Sequence, residues 1–96
     1  MTITWTRPAH DDFLGIFAWI KGNNPPAAAR VGRRILDAVE QLDQFPLRGR
    51  AGRSPGTREL VIAGLAYLVV YSADSVDPRS VAVLRVLHGA MPWPPD

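Results

Sequence analysis

One stretch, residues 58–89, constrains the fold of this chain more than any other, because it reads as three consecutive β-strands. The predicted strands cover residues 58–63, 66–73 and 80–88. In the two longer strands, apolar side chains occupy both sets of alternating positions, so both faces of the sheet are apolar. A sheet with this pattern is usually covered on both sides. The sequence therefore predicts a sheet that buries two faces.

The sequence also indicates where the turns between these strands lie. Ala63-Gly64 forms a tight turn, and Gly64 supplies the residue that a positive φ angle favours. Asp77-Pro78 marks a longer turn before the last strand. We therefore predict that the three strands are antiparallel neighbours.

Two amphipathic helices precede the strands. After a short strand at residues 2–6, residues 8–21 place apolar side chains at i, i+3, i+4 and i+7, and Gly22 is the expected terminator. Residues 25–44 form the second helix, with Asn24 as its cap. The short link predicts an antiparallel helical hairpin packed on the sheet. The fold class is therefore α+β, in the order β-α-α-β-β-β on a mostly antiparallel sheet.

The composition limits the possible functions. Ninety-six residues, 47% hydrophobic and 21% charged, predict one folded domain over residues 1–96. The lack of cysteine excludes disulfides, thiolate metal sites and a cysteine nucleophile. His10 and His88 have no carboxylate at ligand spacing, so no metal or other cofactor is predicted. No membrane span of roughly 18 apolar residues and no signal-peptide pattern is found, which predicts a cytoplasmic protein without membrane contact.

The second face of the sheet needs a cover that two helices cannot provide. The tail, Met91-Pro92-Trp93-Pro94, is one candidate, and another protein chain is the other. An exposed apolar sheet of roughly several hundred Å² is unusual for a free monomer. We therefore expect a protein partner.

Arginine supplies ten of the eleven basic residues. Its planar group suits paired hydrogen bonds to carboxylate or phosphate, although a GC-rich genome would give the same bias. Arg48, Arg50 and Arg53 lie in a loop at residues 46–57, and Arg58 follows without an intervening acid. Either these side chains gather around one anion, or the loop is mobile and solvated.

Arg85 and His88 interrupt the apolar pattern of the last strand. Alternation places Arg85 on one face with Val81, Val83 and Leu87, and His88 on the other. The two polar side chains share a site only if the strand ends or bulges near Leu87.

Each of these residues has two interpretations. Arg85 is either an anion contact or a structural group paired with Glu59 or with backbone carbonyls, because a charge among valines needs a partner. His88 is either a proton-transfer group or a hydrogen-bonded residue that closes the sheet.

Three motifs carry a resemblance to a known family. They are the strand opening Arg58-Glu59-Leu60, the hairpin Gly64-x-x-Tyr67-x-x-x-Tyr71, and the ending LRVLHGA at residues 84–90. With the order of elements, they resemble the RelE/ParE superfamily of bacterial toxins over nearly the whole chain, and the ParE branch most. The resemblance implies a RelE/ParE-like fold and the toxin of a type II toxin–antitoxin system.

The same resemblance implies partners. A cognate ParD-like antitoxin, usually encoded beside the toxin, would wrap it in a hetero-oligomer and alone contact operator DNA. The side chains expected to bind the antitoxin are large and apolar: Phe13, Phe17, Trp19, Leu68, Val70 and Trp93. In the ParE branch the target is DNA gyrase, inhibited by protein contact. The expected target or anion contacts are Arg48, Arg50, Arg53, Arg58 and Arg85.

Two alternatives stay open. The RelE branch cleaves mRNA on the ribosome, which requires a base, an acid and cations; here Arg58, Arg85 and His88 are the candidates. That branch uses lysines and often a tyrosine beyond the last strand, whereas this chain has only Lys21 and no tyrosine after His88. The other alternative is a degenerate toxin that only binds its antitoxin.

Overall fold

The computed structural model describes residues 2–74, 80–90 and 93. The elements are, in chain order, β1 (Thr2–Trp5), α1 (Arg7–Asn23), α2 (Pro25–Glu40), a 3-10 turn (Gln41–Asp43), β2 (Arg50–Ala51), β3 (Arg58–Val61), β4 (Tyr67–Ala73) and β5 (Ser80–His88). Within this part of the chain, none of the helices has the length and apolar character needed to span a bilayer.

Asn24 closes the end of α1 and caps the start of α2. Its backbone N–H donates to the carbonyl of Ile20 (2.7 Å), and its Oδ1 accepts from the N–H of Ala27 (3.1 Å). The predicted cap at Asn24 is confirmed, but the predicted stop at Gly22 is wrong, because α1 continues until Asn24 closes its last turn. The second helix is shorter than predicted, because the backbone tightens into the 3-10 turn after Glu40.

The sheet has five strands in the order β1-β5-β4-β3-β2. β1 is parallel to β5, and all other neighbours are antiparallel, which confirms the α+β fold with a mostly antiparallel sheet. The predicted order lacked β2, whose two residues pair with Glu59 and Arg58 of β3. The turn glycine Gly64 has a φ of 79°, as predicted.

Both helices pack on one face of the sheet. The main core joins buried residues of the helical segment to one side of β4 and β5: Ala9, Ile35, Val39, Leu42, Val69, Tyr71, Val81, Val83 and Val86. The rings of Phe13 and Phe17 pack over Gly32 of α2, where an added Cβ would lie in ordinary van der Waals contact with them, at 3.7 and 3.5 Å. The helical hairpin is therefore held by aromatic packing as well as by the sheet.

The second face carries a smaller cluster of Leu68, Val70 and Leu87, with Leu84 and Trp93 packed against it. The three core members of this cluster are at most 4% exposed, so the centre of the second face is covered within the chain itself. Trp93 belongs to the tail that was one predicted cover. The other tail residues named above and the predicted turn at Asp77-Pro78 lie outside the described residues.

A β-bulge changes the faces of β5. Val70 pairs with Arg85 whereas Tyr71 pairs with Val83, so Leu84 is an extra residue in the ladder. Val83 therefore faces the helices and Arg85 faces the second side. The prediction that these two residues share a face is wrong, because alternation assumes an uninterrupted strand.

Candidate functional site

A polar row crosses the second face of the sheet over four strands. Arg50 pairs with Glu59, Glu59 with Val70, and Val70 with Arg85. Residues directly opposite each other in a sheet project from the same face. Four of the residues singled out from the sequence, Arg50, Glu59, Val70 and Arg85, therefore lie in one row.

Glu59 is the buried acid of this row, with 2% of its surface exposed. Its Oε1 accepts from Arg50 Nη2 (3.1 Å), and its Oε2 accepts from the Arg53 backbone N–H (3.0 Å) and lies 3.3 Å from Arg53 Nε. Burial by itself would raise the pKa of Glu59, but these hydrogen bonds and the two arginine charges together hold it below its ordinary value. Two of the four arginines, Arg50 and Arg53, thus gather around one anion, which is the chain's own carboxylate, whereas Arg48 and Arg58 do not.

Arg48 and Arg58 bind uncharged oxygens instead. Arg58 Nη1 donates to the carbonyls of Leu47 (3.1 Å) and Gly49 (2.9 Å), and Arg48 Nη1 donates to Gln41 Oε1 (2.7 Å). The guanidinium groups of Arg48, Arg50, Arg53 and Arg58 therefore tie the loop to its surroundings.

The hydroxyl of Tyr71 also holds this loop in place. Its hydroxyl donates to the carbonyl of Pro46 and accepts from the N–H of Gly49, both at 2.8 Å. Burial raises the pKa of Tyr71, against the opposing effects of the Gly49 N–H and Arg58. The loop is an ordered part of the fold at residues 46–49.

Arg85 forms the other end of the row, and its partner is Asp12 of α1. Arg85 Nε donates to Asp12 Oδ2 (2.6 Å) and Nη2 donates to Oδ1 (2.9 Å), while the N–H of Val86 also donates to Oδ2 (3.0 Å). This two-point pairing raises the pKa of Arg85 above its usual value. The guanidinium lies 5.5 Å from the centroid of the Trp93 ring. The predicted pairing of Arg85 with Glu59 is therefore wrong.

His88 lies on the opposite face from Arg85. It pairs with Tyr67, and the two rings meet edge to face at 5.8 Å. Its Nδ1 accepts from the N–H of Ala90 (3.1 Å). The bulge falls at Leu84 and not near Leu87, so the structure does not bring Arg85 and His88 into one site.

The residues expected to bind an antitoxin differ in exposure. Phe13 and Phe17 are half-buried in the helical hairpin, and Leu68, Val70 and Trp93 belong to the second-face cluster. Trp19 is 73% exposed. Within residues 2–74, 80–90 and 93, the other exposed large apolar side chains are Leu14, Leu36, Phe45, Leu47 and Val61.

Sequence reasoning missed two features of this region. The first is Asp12, which binds Arg85 and the edge of β5 although no spacing in the sequence relates it to either. Phe45 and Leu47 line a concave surface with Pro46 and Arg48. The run Phe45-Pro46-Leu47, three apolar residues in an otherwise polar loop, was the available signal. Among the described residues, no three histidine or acidic side chains cluster as metal ligands would.

Comparison with known proteins adds the following findings. The family model described as "ParE toxin of type II toxin-antitoxin system, parDE" matches residues 3–93. Protein Y4kP of Sinorhizobium fredii is 41% identical over 96% of this chain and 92% of its own length. Toxin RelE1 of Caulobacter vibrioides is 36% identical, with 92% of each chain covered. The solved chromosomal ParDE toxin–antitoxin system of P. aeruginosa contains a chain with a TM-score of 0.80 and 23% identity, covering 92% of this chain and 95% of that chain.

Proposed function

The chain belongs to the ParE toxin family of type II toxin–antitoxin systems, and from this premise we propose that it inhibits DNA gyrase by direct protein contact and is neutralised by a cognate antitoxin. The support for the family is the match of a ParE model to residues 3–93. The choice of target within the RelE/ParE superfamily rests on the site.

One observation carries this choice: the groups that could cleave RNA are separated or held by the chain itself. Arg85 is bound by Asp12, Arg58 is bound by two backbone carbonyls, and His88 lies on the opposite face of the sheet from Arg85. Cleavage requires an acid, a base and cations around one phosphate. The arrangement supports a role in binding more than one in proton transfer.

The accessible cations form a basic edge, defined as Arg48, Arg50 and Arg53. Arg50 and Arg53 expose 61% and 42% of their side chains while holding Glu59. Arg58 and Arg85 are only partly exposed, whereas the three arginines of the basic edge are exposed, so we assign target contact to the basic edge first. Arginine-rich edges suit acidic protein surfaces and phosphate groups equally.

The second candidate is cleavage of mRNA on the ribosome, the activity that the resemblance implies for the RelE branch. It is favoured by two relatives from Caulobacter vibrioides that carry the names RelE1 and RelE2, at 36% and 32% identity. The two candidates share an antitoxin partner and differ in their target.

The test compares both activities of one preparation. The toxin is purified as a complex with the product of the adjacent reading frame, released in denaturant and refolded. It is then added to gyrase with relaxed plasmid and, separately, to a translating extract. We expect loss of supercoiling that the antitoxin reverses, with no new mRNA ends.

Two variants make this test sharper. Arg48→Gln is expected to weaken inhibition of gyrase, whereas Arg33→Gln, an exposed arginine away from the basic edge, leaves it unchanged. New mRNA ends without an effect on supercoiling would overturn the gyrase proposal. Loss of that cleavage in His88→Ala would then support the ribonuclease, because this change leaves the Arg85–Asp12 pair in place.

A further inference from the structure

The outer side of β1 is an open edge of the sheet. β1 is the end strand, and its inner side pairs with β5. The N–H of Thr6 donates to the carbonyl of Val83 (3.0 Å), which continues this parallel ladder. Since alternate residues of a strand bond to opposite sides, Thr4 also bonds to β5, and the N–H and C=O groups of Ile3 and Trp5 face outward. Among residues 2–74, 80–90 and 93, none hydrogen-bonds to these outward groups.

The composition of β1 does not protect this edge. Edge strands usually carry a feature that discourages pairing with another chain, such as a very short length, a charge or a proline. The strand at the opposite end of the sheet has two of these features, since β2 has two residues and the first is Arg50. Residues 2–6 are Thr-Ile-Thr-Trp-Thr, which are uncharged and all β-branched or aromatic. The outer side of β1, which we call the β1 edge, therefore favours the addition of a further strand.

The backbone of the β1 edge is complementary to that of a second copy. Two β1 strands can lie antiparallel about a two-fold axis at Thr4, which places Ile3 of one copy opposite Trp5 of the other. The outward groups of these residues then form four N–H···O=C hydrogen bonds across the axis. The two Thr4 residues form the non-hydrogen-bonded pair between them. Every outward backbone group of Ile3 and Trp5 thus finds a partner.

The side chains fit the same arrangement. Ile3 and Trp5 pack against the main core on the helix side, so across the axis a β-branched side chain meets an aromatic one. Thr4 is exposed and meets Thr4 of the second copy, and pairs of threonines are favourable across strands. No position of the strand opposes an unsuitable residue.

Charge also favours a second copy at the β1 edge. The chain has a net charge of +2, and the basic edge gathers three arginines, so two copies repel each other there. The β1 edge carries no charge. The first charged side chain after it, Arg7, lies 3.7 Å from Asp11 and is offset by it.

From these observations we propose that two copies of the chain associate through their β1 edges into one continuous sheet of ten strands. This inference goes beyond the proposed function and does not depend on the choice of target. Four strand residues from each copy bury less surface than the roughly 1,200–2,000 Å² of a stable complex, so the dimer is weak, with a Kd of roughly 10–100 μM. Because β2 lies at the far end of each sheet, both basic edges stay free in the dimer.

The first test places a charge on the two-fold axis. The toxin is released from its complex in denaturant and refolded without a tag, and sedimentation velocity follows its mass from about 5 to 500 μM. In Thr4→Lys two ammonium groups meet at residues whose Cα atoms are about 4.5 Å apart, so we expect the dimer Kd to rise at least about tenfold. Thr4→Val keeps the branched shape and should change the Kd by less than about threefold. Asn23→Lys adds the same charge at an exposed position at the end of α1 and should leave the Kd unchanged.

The second test uses the symmetry of the pair. Thr4→Glu should prevent dimer formation as Thr4→Lys does, because each variant repels a copy of itself. A mixture of the two variants should associate again, since opposite charges then meet on the axis. Circular dichroism of each variant verifies that it is folded.

The third measurement reports on the register. Amide hydrogen exchange of Ile3 and Trp5 should be at least about threefold slower at the highest concentration than at the lowest. A wild-type chain that stays monomeric over the whole range overturns the proposal. A dimer that Thr4→Lys leaves intact, or a mixture of the Lys and Glu variants that does not associate, overturns the β1 edge as its interface. Neither result bears on gyrase or the antitoxin, which are tested separately above.

Discussion

Gly49 lies where the loop at residues 46–57 crosses the hydroxyl of Tyr71. A Cβ atom on residue 49 would lie 2.7 Å from Tyr71 Cε1, 2.8 Å from its hydroxyl and 3.0 Å from the carbonyl of Glu59. Both the ring and the backbone are buried, so neither can move away freely. We expect Gly49→Ala to lower the free energy of unfolding by about 2 kcal/mol.

Urea unfolding followed by circular dichroism measures this effect. The matched control is Gly15→Ala in α1, where nothing lies within 4 Å of the added Cβ. That change should stabilise the chain by up to about 1 kcal/mol, because alanine favours helix more than glycine does. Equal effects of the two substitutions would contradict the role given to the Gly49–Tyr71 contact.

Glu59 gives the fold a dependence on pH. Its pKa is lower in the folded chain than its ordinary value, so the stability it contributes is present above the unfolded pKa of about 4.3 and is lost as the pH falls through the folded value. We expect wild type to be more stable than Glu59→Gln at pH 7, and the difference in unfolding free energy to shrink at acidic pH.

Urea titrations at pH 7, 5, 4 and 3 would follow this difference. Glu40→Gln, at an exposed position of α2, removes a carboxylate that pairs with neither Arg50 nor Arg53, and serves as the matched control. A Glu59→Gln difference that stays constant over the same range would mean that Arg50 and Arg53 do not stabilise the ionised carboxylate.

At the scale of the elements, the helical hairpin depends on Asn24. One side chain caps the start of α2 and one backbone N–H closes the end of α1. Asn24→Ala should lower the free energy of unfolding by about 1 kcal/mol, the usual effect of losing a side-chain cap. The neighbouring exposed Asn23→Ala should change it by less than about 0.5 kcal/mol. Thermal unfolding of the two variants side by side would test this difference.

The long elements could be predicted from the sequence because each has a period. The apolar stripe of α1 indicated a helix, and the alternating apolar positions of β4 and β5 indicated strands. Asn24 and Gly64 indicated two of the turns between elements. β2 could not be predicted, since a strand of two residues has no period. It exists because Arg50 meets Glu59, which tertiary structure alone brings together.

The bulge and the partner of Arg85 were unpredictable for a related reason. β1 ends at Trp5, so beyond it the edge of β5 is covered by α1, and Asp12 accepts the N–H of Val86. Asp12 and Arg85 are 73 residues apart, and alternation in β5 carries no information about that contact. Glu59 was the nearer acid in the sequence. The structure uses it to hold Arg50 and Arg53 instead.

For the molecule as a whole, the unequal cover of the sheet explains how a chain of this size buries two faces. The helices cover one face, and on the other Trp93 packs against Leu68, Val70 and Leu87. Polar groups at the edges of that cluster are paired, with Arg85 bound to Asp12 and Glu59 bound to two arginines. A partner is therefore expected at edges and exposed side chains, since the centre of the second face is already filled.

Trp93 and Trp19 differ in exposure, so we expect one to contribute to the stability of the fold and the other to the binding of a partner. Trp93 is half-buried beside the second-face cluster and Arg85, whereas Trp19 on α1 is 73% exposed. Trp93→Ala should lower the free energy of unfolding by about 3 kcal/mol, and Trp19→Ala by less than about 0.5 kcal/mol.

Trp19→Ala should instead weaken antitoxin binding about tenfold or more, as expected for an exposed aromatic contact. Urea unfolding of the free toxin and calorimetric titration with the antitoxin give the two quantities. If Trp19→Ala binds the antitoxin as tightly as wild type, the outer surface of α1 around Trp19 is not part of the antitoxin interface.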